Sequence, residues 1–269
     1  MGGQIVGDRY EVERQLGKKS GRWTLQARDL HTQAPVILKL LFLDENLNET
    51  DLRLFRREVE ALKLLKHPAT PRYEGYFEIE MPTQDKAMAL VQSYVEGVSL
   101  RTYLSNAQPF SQPEVMEIAR QVLEILEHLH HQSPPIIHRD IRPNNILLQP
   151  GLPVADAKIC LVDFGAVRSL SGRATAFTMV GTDGYLPPEQ AGGRVIAVSD
   201  LYSLGATIAE CLTGLAPGQM QTRGLRIRFE EHIDVSPEFA QWLKQLLSPS
   251  LDSRWESAAS ALQALQALA

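Results

Sequence analysis

Apolar positions in the first third of the chain mostly follow strand-like spacing, and later ones mostly follow helical spacing. Tyr10-Glu11-Val12-Glu13 alternates, Trp23 to Ala27 is a second strand-like stretch, and Val36-Ile37-Leu38-Lys39-Leu40-Leu41 is an apolar run broken by one lysine. These segments predict strands, the last of them buried. Within 51–65, Leu54, Phe55, Val59, Leu62 and Leu65 recur at helical spacing with Glu58 beside the stripe. The run ending at Tyr94 predicts another strand, and the glycine and polarity change at Glu96-Gly97 mark a boundary.

Beyond that boundary, Ser111-Gln112-Pro113-Glu114 reads as a capping-box helix start, followed by Val115, Ile118, Ala119, Val122, Leu126 and Leu129 at helical spacing. Residues 136–148 set a polar segment between two apolar runs, which predicts a loop held by a strand on each side. Leu161-Val162 is a strand-like run ending in Asp163. Ser199 to Leu212 predicts a mostly apolar helix, and Ser236-Pro237 starts another with Phe239, Leu243, Leu246 and Leu247 on one face. Ala258 to Ala269 is plainly amphipathic. Strands with one helix, then mainly helices, make an α+β chain.

Composition narrows the functional classes. A chain of 269 residues that is 44% apolar can build a large core. A net charge of -5 gives no basis for general binding to nucleic acid or anionic membranes, so Arg53, Arg56, Arg57, Lys63 and Lys66 read as a solvated helix face. The two cysteines, Cys160 and Cys211, each lie in an apolar run and read as small buried hydrophobes in a reducing compartment. No run approaches 18 apolar residues, and charged residues follow Met1-Gly2-Gly3-Gln4 where a signal would have an apolar core. A cytoplasmic single domain over 1–269, with no membrane segment and no nucleic-acid partner, is expected.

Two features carry chemistry. Lys39 interrupts a buried strand, and an unpaired buried ammonium would cost several kcal/mol, so a carboxylate should lie nearby and Glu58 is the best candidate; the alternative is a lysine snorkelling at a strand edge beside an exposed Glu58. Asp140 and Asn145, five residues apart in the polar segment, have the spacing that phosphoryl transfer asks of a carboxylate near an acceptor hydroxyl and an amide oxygen on a metal ion; the alternative is a polar turn between two strands.

His138-Arg139-Asp140 with Asn145, then Asp163-Phe164-Gly165, then Gly181-Thr182-Asp183-Gly184-Tyr185-Leu186-Pro187-Pro188-Glu189, follow in an order and spacing that resemble the protein kinase family. Asp163 to Arg168 and Pro187-Pro188-Glu189-Gln190 look most like the bacterial Ser/Thr kinases, and the resemblance runs from about Tyr10 to Leu265. It implies a bilobal fold: a small antiparallel-sheet lobe with one long helix over about 8–94, a hinge near 93–97, and a larger, mainly helical lobe over 98–269.

The resemblance implies transfer of the γ-phosphate of ATP to Ser/Thr hydroxyls of a protein substrate, and it allows self-association for autophosphorylation. Asp140 would accept the hydroxyl proton and Arg142 would offset developing charge. Lys39 with Glu58 would position phosphates, and Asn145 and Asp163 would hold Mg2+. Gly17, Lys19, Thr24 and Ile37 would line the nucleotide, with backbone groups of Ser93 and Val95 on the adenine. Asp200 would cap amides of the catalytic loop, and Arg254 would pair with Glu189. Arg139 matches a phosphate-sensing arginine; Thr175 and Thr178 are preferred over Ser169 and Ser171 as modified positions, and Thr182 reads as a docking residue. The alternative is a segment held active by packing alone.

Some positions depart from the family pattern. Of the three glycines expected in the phosphate loop only Gly17 is in register; Lys19 and Arg22 take the other two places, and Gly21 is displaced by one. Ile37 and Thr24 stand where alanine and valine commonly meet the adenine, and Arg142 replaces a lysine. A pseudokinase that binds nucleotide or a partner as a scaffold is therefore an alternative. A small-molecule kinase is disfavoured by the peptide-docking look of 181–189.

Overall fold

The computed structural model describes residues 2–19, 21–43, 47, 49–80, 86–106, 109–154, 156–164, 184–220 and 226–268. The chain divides into two compact units, Met1–Val95 and Glu96–Ala269.

The smaller unit is one antiparallel sheet and one helix. Its strands are β1 Ile5–Val6, β2 Tyr10–Lys19, β3 Arg22–Asp29, β4 Pro35–Phe42, β5 Tyr73–Glu80 and β6 Lys86–Ser93, in the order β1-β2-β3-β4-β6-β5. One face is apolar because Val12, Leu25, Ala27, Leu38, Leu40, Ala89 and Val91 alternate inward. The sheet curls: Tyr10 of β2 stacks on Phe77 of β5 with ring centroids 5.7 Å apart. Gly7, at φ +58°, sits so close that a Cβ would come within 2.6 Å of the Phe77 ring. The sequence reading does not anticipate β1, since two residues are too short to show a period. Helix α1, Glu49–Leu64, buries Phe55, Val59 and Leu62 of the expected stripe, leaves Leu54 half-buried, and also buries Ala61 and Glu58.

The larger unit is built on helices α3 Gln112–His130 and α5 Ser199–Thr213. The carboxylate of Glu114 accepts the Ser111 amide at 2.8 Å, which closes the N-terminus of α3. Every residue of α5 from Ser199 to Leu212 is buried. Around this pair lie α2 Leu100–Asn106, α4 Pro188–Ala191, α6 Pro217–Met220, α7 Pro237–Leu246 and α8 Ala258–Gln266. A three-stranded sheet joins β7 Val98–Ser99, β8 Ile146–Leu148 and β9 Ile159–Leu161. The expectation of a strand on each side of the polar loop is half right. Ile146–Leu148 is a strand, but Ile136 and Ile137 are buried without forming one; Ile136 instead donates its amide to the Leu129 carbonyl at 3.0 Å.

Candidate active site

In the smaller unit, strand register fixes what surrounds Lys39. Gly17 pairs with Thr24 and Thr24 pairs with Lys39, so these three lie in one row across β2, β3 and β4. Lys39 donates to the Glu58 carboxylate of α1, and both side chains are nearly excluded from solvent (12% and 3% exposed). Losing one partner of such a pair costs about 3–5 kcal/mol, because the other charge stays buried. Ile37 lies two residues earlier in β4, opposite Gln92. Lys19 pairs with Arg22 at the end of the β2–β3 hairpin. Ser93 closes β6 with its amide on the Arg72 carbonyl at 2.9 Å, while its hydroxyl oxygen accepts the Arg72 amide, also at 2.9 Å. Val95 is the last residue of this unit.

In the larger unit, the segment 138–145 is held from several directions. The fully buried carboxylate of Asp200, in the first turn of α5, accepts the amides of His138 at 2.9 Å and Arg139 at 2.7 Å, and sits 3.0 Å from Nε2 of His130. Arg139 adopts φ +71°, a conformation few side chains tolerate without such support. His138 is wholly buried. Its Nε2 donates to the Val162 carbonyl at 3.1 Å, its Nδ1 accepts the Asp140 amide at 3.3 Å, and its ring meets Phe164 edge-on at 4.8 Å. Burial holds its pKa below the usual value, which keeps this neutral tautomer.

The side-chain amide nitrogen of the buried Asn145 donates to Asp140, at 2.8 Å to the carbonyl and 2.9 Å to the carboxylate. Asn145 also accepts the Val162 amide on its backbone carbonyl at 2.9 Å, which laces the loop to the strand end carrying Asp163. Asp163 itself is exposed, at φ +66°. Asp140, Asn145 and Asp163 are thus brought together on one backbone-bonded scaffold.

The Arg142 guanidinium lies 5.2 Å over the Tyr185 ring. Glu189 accepts from Arg254 at 2.7 and 3.1 Å, and from the Ser199 hydroxyl at 2.8 Å. Burial opposes ionisation of Glu189, but these bonds outweigh it and hold its pKa below the usual value. Gly165, Ser169, Ser171, Thr175, Thr178, Gly181 and Thr182 lie outside the described residues.

A model of the protein kinase domain matches residues 10–267. The chain belongs to the protein kinase family. Relatives of this kinase chain include serine/threonine-protein kinase B of Synechocystis sp., 33% identical over 96% of the chain. Serine/threonine-protein kinase PknA of Nostoc sp. is 33% identical over 98%, and PknB of Mycolicibacterium smegmatis is 31% identical over 95%. The chain spans less than half of each relative: 46%, 48% and 42% of their lengths. Nothing in these comparisons supports the pseudokinase alternative. Membership of the family implies ATP, Mg2+ and protein substrates in general terms. Among the described residues no helix is long and apolar enough to cross a membrane.

Sequence reasoning missed one network in the larger unit of this kinase chain. Glu210, buried in α5, accepts from the Tyr185 hydroxyl and pairs with Arg101 at 2.7 Å, and Arg101 also donates to the Tyr185 oxygen at 2.9 Å. The signal was present: a glutamate inside Ile208-Ala209-Glu210-Cys211-Leu212 needs a partner, as Lys39 does.

Proposed function

We propose that the chain is an ATP-dependent Ser/Thr protein kinase in which Asp140 takes the proton of the acceptor hydroxyl. The observation that carries this reading is the pair of bonds from Asn145 to Asp140. They orient the carboxylate, and with the amide nitrogen turned to Asp140 the Asn145 Oδ1 serves as the hard oxygen donor. With the exposed carboxylate of Asp163, that makes an all-oxygen set of the kind Mg2+ prefers. Bound there, Mg2+ supplies charge neutralisation at the β- and γ-phosphates.

Lys39, fixed by Glu58, holds the α- and β-phosphates. In the row it shares with Gly17 and Thr24, a Cβ at Gly17 would meet Thr24 only at 3.8 Å, so the chain itself does not demand glycine there. A backbone open to phosphate does. Ile37 lies against the adenine; the Ser93 amide is engaged by Arg72, so its carbonyl, with the Val95 amide, is assigned to the base. Arg142, steadied over Tyr185, offsets charge on the transferring group. The substrate is a protein hydroxyl, and ATP as donor suits the cytoplasm.

The metal assignment is tested with Asp163→Ala. Affinity for ATP should fall about 10-fold or more with Mg2+ present and stay within about 2-fold in excess chelator. Equal loss in both conditions would remove Asp163 from the metal.

A further inference from the structure

The arginine that stands in place of the last expected glycine has a defined partner. Arg22 Nη2 donates to both the backbone carbonyl of Asp51, at 3.0 Å, and its carboxylate, at 2.8 Å. Asp51 is in the first turn of α1, and Glu58 follows seven residues later, two turns along the same face. Arg22 of β3 pairs with Leu41 of β4, two residues from Lys39. Two cations on neighbouring strands therefore grip two carboxylates on one face of one helix.

The rest of the hairpin end is equally tied. Gly21 takes φ +68°, which glycine adopts at no steric cost, and its carbonyl accepts the Phe42 amide at 2.9 Å. Trp23 packs edge-on against Phe42 at 4.7 Å, and the Lys18 ammonium lies 5.1 Å over the Trp23 ring. A glycine-rich phosphate loop is supple because nothing anchors it; here side chains anchor it.

We propose that Arg22 is a positioning residue. Through Asp51 it joins the phosphate-facing hairpin to the helix bearing Glu58, so that hairpin, helix and Lys39 behave as one body. Closeness to phosphate, lost with two of the glycines, is replaced by a fixed geometry. The inference rests on the nucleotide reading of this site, but the clamp can be measured without nucleotide.

The experiment has two arms. In the nucleotide-free protein, hydrogen exchange of amides in 17–24 and in the first turn of α1 should accelerate about 10-fold in Arg22→Ala. In calorimetry with ATP and Mg2+, Arg22→Ala and Asp51→Ala should each weaken binding roughly 3- to 10-fold. The double variant should be no worse than either single one, and the exchanged pair Arg22→Asp with Asp51→Arg should recover at least half of the lost affinity. The loss should fall on KM for ATP, with kcat changed less than about 2-fold. Unchanged exchange in Arg22→Ala overturns the clamp, as do additive losses with no recovery in the exchanged pair. Absence of any ATP binding by the unaltered protein would instead sink the nucleotide reading, leaving the exchange arm to decide the clamp.

Discussion

In the larger unit, Asp140 belongs to a loop whose backbone is gripped by the fully buried Asp200 and whose side chain is bonded by the buried Asn145. In the smaller unit, Lys39 donates to the buried Glu58 carboxylate of α1, and Arg22 to the Asp51 carboxylate of the same helix, which is about a third exposed. The first arrangement is set by groups that cannot change partners without leaving a buried charge unmatched. In the second, the Lys39–Glu58 pair is buried in the same way, and only the Arg22–Asp51 pair touches solvent, so that replacing it costs less. Of the departures from the family pattern, those at Lys19, Gly21, Arg22 and Thr24 lie in the β2–β3 hairpin, Ile37 lies in β4, and Arg142 lies in the larger unit. They concentrate in the β2–β3 hairpin, where position can be re-established by other side chains. In the larger unit the Asp140, Asn145 and Asp163 scaffold keeps its residues.

Disrupting the larger unit's supports should have the largest effect. Arg254 is wholly buried against Glu189, the Val198 carbonyl and the Ser248 carbonyl. Arg254→Met should cost roughly 3–5 kcal/mol in urea unfolding. A protein that unfolds like the parent would show that packing alone holds α4 to the segment after α7.

Acidification should reach the same unit next. Burial lowers the pKa of His138 from its ordinary 6.5, so the stability gained by keeping it neutral is complete above pH 6.5 and is lost as pH falls below that value through the folded pKa. Glu189 is held below its ordinary 4.5, so its contribution is complete above 4.5 and is lost as pH falls through its lower folded value. Unfolding free energy should therefore decline from about pH 6.5 downward and more steeply below 4.5. A flat profile between pH 8 and 5 would contradict the buried neutral histidine.

The smallest effect is expected at Gly17. Its Cβ would make only an ordinary 3.8 Å contact with Thr24, so Gly17→Ala should melt within about 2 °C of the parent while weakening ATP binding roughly 3-fold. A larger stability loss with unaltered ATP affinity would make Gly17 a structural glycine.

The parts of this account that were legible in the sequence share one property: the requirement was local or chemically forced. Lys39 in a buried strand demanded a carboxylate, and Glu58 supplies it. The stripes of α1, α3 and α7 announced their buried faces within about a residue or two of the observed ends. Asp140, Asn145 and Asp163 stand out in the sequence because a short loop and one strand end, joined by the Val162 amide on the Asn145 carbonyl, carry them. What escaped was tertiary. No local pattern says that Arg22 reaches Asp51 across 29 positions, or that Tyr185, Arg101 and Glu210 converge. Ile136 and Ile137 read as a strand because burial and strand propensity look alike in a two-residue run, and here the amide of Ile136 goes to the end of α3.

The central claim is that Asp140 acts as the base in phosphoryl transfer from ATP to a protein hydroxyl. The direct measurement is transfer of labelled γ-phosphate to a generic protein substrate with Mg2+, comparing the parent with Asp140→Asn at equal ATP occupancy. The parent should transfer measurable phosphate, and turnover of the variant should fall about 10^2-fold or more with ATP affinity nearly unchanged. Turnover in Asp140→Asn within a few-fold of the parent would contradict the claim.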